Sequence, residues 1–149
     1  MKPTKIFLAV TFVIFASVLS ACSTSTTQNM HDLSVEASGE NMPMGTDGMV
    51  TGLMDGSATG TFTVDENFEE ICYSIMTKRM TGINEAHIQV TSSEEDVVLF
   101  DIANMNMMNK SCMNVDSNIL MDMVEQPDKY SLMVHTDAFS DGAVMGSLK

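Results

Sequence analysis

Residues 57–77 have the sequence SATGTFTVDENFEEICYSIMT and contain the clearest structural signal in the chain. Apolar and polar residues alternate along 57–64 and again along 70–77, and the acidic and amide residues at 65–67 are typical of a turn. Successive side chains of a strand point to opposite faces, so this alternation predicts two half-buried strands. The buried face of the second strand is predicted to contain its larger apolar side chains, Ile71, Tyr73 and Ile75.

The same alternation recurs from about residue 31 to the C-terminus, in short segments separated by Gly, Asn, Asp and Ser. These segments predict six further strands, over residues 33–37, 85–91, 97–103, 111–115, 130–136 and 143–148. The 97–103 segment is more continuously apolar than the others, which predicts a central strand. Ser117 is a candidate N-cap for one short helix over 118–125, which ends before Pro127. The pattern predicts an all-β fold, an antiparallel sandwich or barrel of about seven or eight strands with one short helix.

The chain has 149 residues, with 20 acidic and 7 basic side chains and a net charge of −13. This length fits one small domain. A surface this acidic repels phosphate backbones and anionic membrane surfaces, so nucleic-acid binding is not expected. The apolar fraction of 44% is ordinary for a folded domain, so wholesale disorder is not expected either.

The first residues are predicted to form an export signal. Residues 1–5 contain two lysines, and residues 6–18 are almost entirely apolar but too few to cross a bilayer. The following Leu-Ser-Ala-Cys at 19–22 resembles the lipobox of bacterial lipoproteins. That resemblance implies cleavage after residue 21, a diacylglyceryl group on the Cys22 sulfur and acylation of its new amine. An ordinary cleavage site followed by a chance cysteine is the alternative.

Residues 22–31 are predicted to be the lipidated cysteine and a flexible tether, because STSTTQNM at 23–30 is polar and low in complexity. The protein is therefore expected at the cell envelope, attached to a membrane through its lipid. Ser23 follows the cysteine, where an Asp would signal inner-membrane retention, so the resemblance favours the outer membrane in a Gram-negative cell. Without residues 1–21 the chain keeps 5 basic residues against 20 acidic ones, a net charge of −15.

Cys72 and Cys112 are the two cysteines that remain if Cys22 is lipidated. An even pair in an exported chain predicts a disulfide, since the envelope is oxidising. Both lie on the non-core face of their predicted strands, and the bridge would close a loop of 40 residues. Loop entropy makes such a bridge worth about 4 kcal/mol. Paired thiolate metal ligands are the alternative, although nothing nearby completes a C-x-x-C site.

The order of several strings resembles the CHRD domain, the module named after chordin and found in many bacterial exported proteins. Residues 130–148 (YSLMVHTDAFSDGAVMGSL) are similar to its closing pattern, 85–88 (EAHI) to its Ala-His-Ile-His strand, and 55–64 and 33–43 to its early strands. The resemblance assigns residues 32–149 to one such domain. It implies an immunoglobulin-like antiparallel β-sandwich and no settled biochemical activity.

Two residues depart from the CHRD pattern. Gln89 stands where the family has the second His of Ala-His-Ile-His, and Met145 stands where its final Gly-x-x-x-Gly strand has a basic residue. The first change weakens any metal site that relies on a His-x-His pair. The second change removes any anion contact made by that basic residue.

His87 and His135 are the candidate metal ligands among the histidines. Both lie on the face of their predicted strands that points away from the core, where a neutral imidazole is able to bind a metal ion. Their possible co-ligands, by position in the sequence, are Gln89, Met133, Asp137 and Asp141. The alternative is a structural role, in which both rings hydrogen-bond backbone groups at strand ends.

The chain contains 16 methionines and no tryptophan. Some methionines cluster in polar segments predicted to be loops, at Met42 and Met44 and at Met105, Met107 and Met108. Thioethers are soft ligands that prefer Cu(I), so these clusters together with the two histidines predict a copper site. The alternatives are methionine as an adaptable core filler and a proteome-wide methionine bias.

These observations lead to three functional hypotheses. The first is a non-enzymatic, lipid-anchored CHRD-type binding or structural module with an envelope protein or glycan as its partner. The second is a lipoprotein that binds or sequesters copper through its methionine clusters and histidines. The third is an enzyme similar to Cu/Zn superoxide dismutase, which shares the sandwich architecture, although fold analogy alone is a weak argument for function. No catalytic residue is predicted.

Overall fold

The computed structural model of the chain describes five ranges of residues, 30–65, 67, 69–93, 95–106 and 109–149. The predicted signal peptide and the lipidated Cys22 lie outside the described residues, as do Met107 and Met108. The predicted tether, residues 22–31, overlaps the first strand, which begins at Met30.

Eight strands and one α-helix form in the described residues. The strands are β1 (Met30–Ser38), β2 (Ser57–Asp65), β3 (Glu70–Lys78), β4 (Ile83–Val90), β5 (Glu95–Leu99), β6 (Ser111–Asn114), β7 (Tyr130–Thr136) and β8 (Phe139–Ser147). The helix is α1 (Ser117–Glu125), and short 3₁₀ helices cover Gly39–Asn41, Ile102–Asn104 and Pro127–Lys129. The strands form one antiparallel sheet in the order β5-β4-β7-β8-β1-β2-β3-β6. The predicted all-β fold with one short helix is confirmed.

The sheet curls so that the inner faces of its strands enclose one apolar core. Ile71, Tyr73 and Ile75 of β3 are buried in it, as the alternation predicts. Val98 of β5 belongs to the same core, although β3 and β5 lie near opposite ends of the sheet order. Leu120 of α1 packs into it as well. Burying each large apolar side chain stabilises the fold by about 1.5–3 kcal/mol, and the result is a sandwich-like all-β domain.

The predicted central strand over 97–103 is wrong in extent and in position. β5 ends at Leu99, and Ile102–Asn104 forms a 3₁₀ helix. β5 lies at one edge of the described sheet, next to β4. Val98 and Phe100 are buried, whereas Leu99 between them is 59% exposed. The apolar run therefore alternates between the core and solvent and is not buried on both faces.

The helix α1 begins one residue before the predicted start. Its N-cap is Asp116, whose carboxylate accepts a hydrogen bond from the backbone N–H of Asn118 at 2.9 Å. The predicted cap, Ser117, is instead the first helical residue. The backbone and side-chain hydrogen bonds from Asn118 lower the pKa of the Asp116 carboxyl. No helix within the described ranges has the length and apolar character needed to cross a membrane.

A disulfide joins Cys72 on β3 to Cys112 on β6, as predicted. The two residues are direct partners across the antiparallel pair. The strand β6 is four residues long and lies at the edge of the described sheet, next to β3. The bridge therefore attaches a short edge strand covalently to β3, whose inner face contributes Ile71, Tyr73 and Ile75 to the core.

Replacing both cysteines, by Cys72→Ser with Cys112→Ser, is expected to lower the free energy of unfolding by about 4 kcal/mol. The reason is that the unfolded chain regains the freedom of the 40-residue loop that the bridge closes. Urea unfolding of the oxidised wild type and the double variant measures the difference. Wild type treated with a thiol reductant is the control and is expected to match the variant. Equal midpoints for oxidised wild type and variant contradict the prediction.

Tyr130 begins β7 and connects that strand to α1. Its ring is buried, and its hydroxyl donates a hydrogen bond of 2.6 Å to the carboxylate of Asp122. This hydrogen bond lowers the pKa of Asp122. Burial, followed by the effect of the same carboxylate, raises the pKa of Tyr130 to about 12. The fold therefore favours the neutral phenol.

Stability is expected to fall as the pH rises from 10.0, the ordinary pKa of tyrosine, to about 12. The folded pKa is the higher one, so the contribution of Tyr130 is fully present below the unfolded pKa and is lost through this window. Tyr130→Phe is expected to lose this pH dependence and about 1–2 kcal/mol of stability at neutral pH. Thermal unfolding across the alkaline range measures both effects. The same alkaline decline in Tyr130→Phe and in wild type contradicts the assignment.

Candidate functional site

The pairing of β4 with β7 brings polar side chains together on the sheet face that lies away from the main core. In this antiparallel register His87 lies opposite Met133, and Glu85 lies opposite His135. Residues two apart on a strand share a face, so all four side chains stand on one surface. Gln89, two residues beyond His87, extends the row.

His87 and Gln89 are buried, which the sequence pattern did not predict. They lie on the predicted outward face of β4, yet His87 is only 3% exposed and Gln89 only 5%. A segment between β1 and β2, residues 42–53, lies over this face, and we call it the covering segment. Its Met42 is buried, and the N–H of its Leu53 donates a hydrogen bond of 2.7 Å to a carbonyl of β8. His87 and Gln89 therefore lie on the predicted face of β4, but they are buried there and do not face solvent.

An open cleft of about 580 Å³ lies between the covering segment and the sheet. Its lining residues are Met42, Pro43 and Thr51 from the segment, Glu85, His87 and Gln89 from β4, Met133 and His135 from β7, and Ser140 and Asp141 from β8. The cleft thus combines two imidazoles, two thioethers and two carboxylates. Convergence of a few polar groups in a concave site is typical of a ligand-binding site.

The hydrogen bonds of His135 determine its tautomer. Its Nδ1 lies 2.8 Å from the backbone carbonyl oxygen of Ser140. A carbonyl only accepts hydrogen bonds, so Nδ1 has the proton and Nε2 of the neutral ring has a lone pair. Nε2 is buried and has no hydrogen-bond partner among the residues that the structure describes. A metal-binding histidine commonly donates its other N–H to a backbone carbonyl in this way.

An irregularity in the pairing of β7 with β8 places the Ser140 carbonyl next to His135. The β7 neighbours of His135 pair with β8 residues 139 and 144, so residues 140–143 all lie opposite His135. Extra residues of this kind form a β-bulge, which bends a strand and redirects its backbone groups, often next to functional sites. Here the bulge directs the Ser140 carbonyl to His135.

His87 lies next to His135, and their ring centroids are 5.0 Å apart. Its Nδ1 is 3.0 Å from a carboxylate oxygen of Glu85, and its Nε2 is 3.0 Å from the side-chain amide oxygen, Oε1, of Gln89. Both partners are oxygens that accept hydrogen bonds, and a neutral imidazole has one N–H to donate. The ionised carboxylate of Glu85 accepts from Nδ1–H, so Nε2 of the neutral ring faces Oε1 of Gln89, and that side chain has to turn before Nε2 binds a metal ion. Glu85, His87 and His135 each offer one ligand atom, and these atoms lie within 4.8 Å of one another.

Met42 and Met133 contribute two sulfur atoms to the cleft. Both side chains pack against Gly142 in the bulge of β8. Their sulfur atoms lie 3.2 Å and 2.9 Å, respectively, from the point at which a Cβ on Gly142 would stand. Both methionines are buried, yet neither belongs to the main apolar core. The missing side chain of Gly142 therefore leaves space for two thioethers close together.

The other methionines predicted as ligands divide into three cases. Met44 belongs to the covering segment, is 74% exposed and does not line the cleft. Met105 is buried in the main core, so the core-filler alternative applies to it. Its polar neighbour Asn106 accepts a hydrogen bond of 2.6 Å from the backbone of β3, which explains a buried methionine within a polar string. Met107 and Met108 lie outside the described residues.

The remaining predicted ligands are divided between the cleft and other parts of the fold. Asp141 lines the cleft, whereas Asp137 accepts a hydrogen bond of 3.2 Å from the side chain of Asn84. Glu70 and the two bridged cysteines form a second close group of potential ligand residues. Their disulfide removes the two thiolates that a metal ion would require, so the thiolate alternative does not apply to the oxidised protein.

The fold and the cleft together define an all-β, disulfide-linked domain with a cleft lined by histidine and methionine. Comparisons with protein families, with curated proteins and with solved structures find no match for this chain. The resemblances to the CHRD domain and to the lipobox therefore stay predictions from the sequence.

Gly142→Ala is expected to lower the free energy of unfolding by about 1–3 kcal/mol. Its φ is +120°, and a Cβ at this position would come within 2.5 Å of the Met42 side chain. Urea unfolding measures the loss. The matched control is Gly48→Ala, where φ is also positive at +76° but a Cβ would meet nothing within 4 Å. Equal losses in the two variants contradict the tight packing of the methionines on Gly142.

Proposed function

We propose that the protein is a lipid-anchored binding module of the cell envelope that holds Cu(I) in the cleft between its covering segment and its sheet. The ligands are two imidazoles and two thioethers, from His87, His135, Met42 and Met133. The proposal joins two of the functional hypotheses, because the domain is the binding module and copper is its ligand. The single observation that supports it most is the buried Nε2 of His135, which has no partner in the described part of the chain.

An unpaired lone pair in this position destabilises the protein without a ligand. A buried polar atom without a hydrogen bond costs about 1–3 kcal/mol, and folded proteins contain few of them. A turn of the His135 ring does not remove this cost, because it would break the hydrogen bond from Nδ1 to the Ser140 carbonyl. A metal ion at Nε2 removes the cost and uses the tautomer that Ser140 stabilises.

The two sulfur atoms favour one class of metal ion. Thioethers are soft, neutral ligands that suit Cu(I), whereas Ca²⁺ and Mg²⁺ require oxygen ligands. Imidazole binds copper as well as zinc, so the histidines alone do not distinguish the two. The combination of Met42 and Met133 with two histidines therefore favours Cu(I).

The acidic groups of the cleft favour a positively charged ligand. Glu85 and Asp141 line it, and the chain has a net charge of −13. Such a field raises the local concentration of cations. Glu85 has a second effect, because it accepts a hydrogen bond from Nδ1 of His87 and so orients that ring. Carboxylates commonly support metal-binding histidines in this manner.

The proposed location rests on the sequence. The lipobox-like string at 19–22 supports lipid attachment at Cys22, and several acyl chains together keep a protein at a membrane. Ser23 after the cysteine supports the outer membrane in a Gram-negative cell. A domain anchored in this way retains Cu(I) at the envelope, and we propose no catalytic activity for it.

A Cu(I) titration of the full chain in detergent tests the proposal. A chromophoric Cu(I) chelator serves as competitor, and ascorbate, which does not cleave disulfides, keeps the copper as Cu(I) while the Cys72–Cys112 bridge stays closed. We expect one Cu(I) per chain, bound more tightly than about 1 μM, with little competition from Zn²⁺ or Ca²⁺. His135→Ala and Met133→Leu are each expected to weaken binding about tenfold or more.

The matched control is Met121→Leu, which removes a 41% exposed thioether on α1 and is expected to bind Cu(I) like wild type. Binding weaker than about 1 μM by the intact chain contradicts the proposal. An equal loss in Met121→Leu and Met133→Leu contradicts it as well, because Cu(I) would then bind methionines without regard to the cleft. In either case the ligand of the module is to be sought among envelope proteins and glycans.

A further inference from the structure

The side-chain amide of Gln89 occupies the position at which His87 would bind a metal ion. Its Oε1 lies 3.0 Å from Nε2 of His87, the nitrogen that has the lone pair in the neutral ring. A half-turn of the amide about its last bond brings its NH₂ group to the same point, where it donates a hydrogen bond to this lone pair. A metal ion bonded to an imidazole nitrogen lies about 2 Å from it, so the ion and the amide cannot share this position.

The fold holds this amide in a buried part of the sheet. Gln89 is buried and lines the cleft, and its partner on β7 is the buried Ser131, whose hydroxyl is 2.7 Å from that of Thr91. On its other side, the register of β4 with β5 shifts between Ile88 and Gln89, where β5 has one additional residue, Val97. Irregularities of this kind redirect side chains and occur often next to functional sites. The contact with His87 is therefore part of the packed sheet.

The two histidines of the proposed site differ in the protein without metal. Nε2 of His135 has no hydrogen-bond partner among the residues that the structure describes, whereas Nε2 of His87 faces the amide of Gln89. The cleft beside them is open and has a volume of about 580 Å³, which gives the amide space into which to turn. His135 is therefore ready to bind an ion, and His87 becomes ready only after Gln89 has turned.

We propose that Gln89 is an internal competitor of Cu(I), which the ion displaces from His87 when it binds. This inference rests on the proposed function, because it requires His87 to be a Cu(I) ligand. The ion first binds Nε2 of His135 and the thioethers of Met42 and Met133. The amide then turns into the cleft, and His87 becomes the fourth ligand. No proton moves in this step, since Nδ1 of His87 keeps its hydrogen bond to the carboxylate.

The chemistry of the amide explains why it leaves the site. Carbonyl oxygen is a hard ligand that suits Mg²⁺ and Ca²⁺, so the Gln89 amide gains little by staying next to Cu(I). The contact that it gives up has to be replaced before His87 binds, and the apparent affinity falls by the corresponding factor. One hydrogen bond of this kind changes the dissociation constant about fivefold. Gln89 thus keeps His87 in contact with a polar group without metal and makes bound Cu(I) easier to release.

The experiment compares Gln89→Asn with Ser131→Ala in the full chain in detergent. Asparagine keeps the amide but is one CH₂ shorter, so it does not reach Nε2 of His87. The matched control Ser131→Ala removes a buried hydroxyl directly opposite Gln89 that does not line the cleft. By chelator competition, Gln89→Asn is expected to bind Cu(I) about fivefold more tightly than wild type, and Ser131→Ala is expected to match wild type. Damage to the fold alone does not tighten binding, and urea unfolding without metal checks that both variants fold.

A second measurement follows the amide in the wild-type protein by NMR. The side-chain amide hydrogens of Gln89 are buried without metal, so they are expected to exchange slowly with water. One equivalent of Cu(I) is expected to make this exchange faster, because the amide turns into the open cleft. The control is the amide of Gln126 on the other side of α1, which donates a hydrogen bond to Asp122 and is expected to exchange at the same rate throughout.

The outcomes separate this inference from the proposed function. If Gln89→Asn binds Cu(I) no more tightly than wild type while His135→Ala loses binding, the competition is wrong and the proposed site remains. Equal tightening in Gln89→Asn and Ser131→Ala also contradicts the competition, because it would come from loosening of the sheet. Unchanged exchange of the Gln89 amide on addition of Cu(I) contradicts the displacement. If wild type does not bind Cu(I), both the site and its internal competitor are wrong.

Discussion

The antiparallel register of β4 against β7 determines the geometry of the cleft. It places His87 opposite Met133 and Glu85 opposite His135. Side chains alternate along a strand with a period of two, so a slip of β4 by one residue would turn His87 into the core. It would also move core residues such as Ala86, which is fully buried, into the cleft. The apolar contacts that stabilise the sheet therefore also keep the polar groups of the cleft together.

Much of the fold follows from local alternation in the sequence. The patterns at 57–64, 70–77 and 130–136 agree with β2, β3 and β7 to within one residue at each end, because these strands have one apolar inner face. The strand expected over 97–103 fails for a definite reason. Its run of apolar letters includes Leu99, which faces solvent at the sheet edge, and periodicity alone does not distinguish such a residue from a core residue.

The candidate site follows from the sequence only in part. The alternation of side chains along the predicted strands indicates His87 and His135 as candidate ligands. Met133 is added by its position in the sequence close to His135. The burial of the site depends on the covering segment, whose sequence has no period and nothing to distinguish buried Met42 from exposed Met44. The bulge at residues 140–143, which orients His135, leaves no periodic signal either. The covering segment packs on strands far from it in the chain, and the bulge is an irregularity of the β7–β8 hairpin. Local alternation encodes neither.

The position of β1 affects how the domain responds to force. This strand lies inside the sheet, between β8 and β2, and pairs with β2 along all nine of its residues. Hydrogen bonds in an antiparallel pair run perpendicular to the strands. Tension applied ahead of Met30, along the strand axis, therefore loads this ladder in shear and does not open it one bond at a time. On the other side, Lys149 exchanges two backbone hydrogen bonds with Ser34. A domain that is pulled from its N-terminus therefore resists mechanical unfolding, because the pull acts along β1 and loads its hydrogen bonds with β2 in shear.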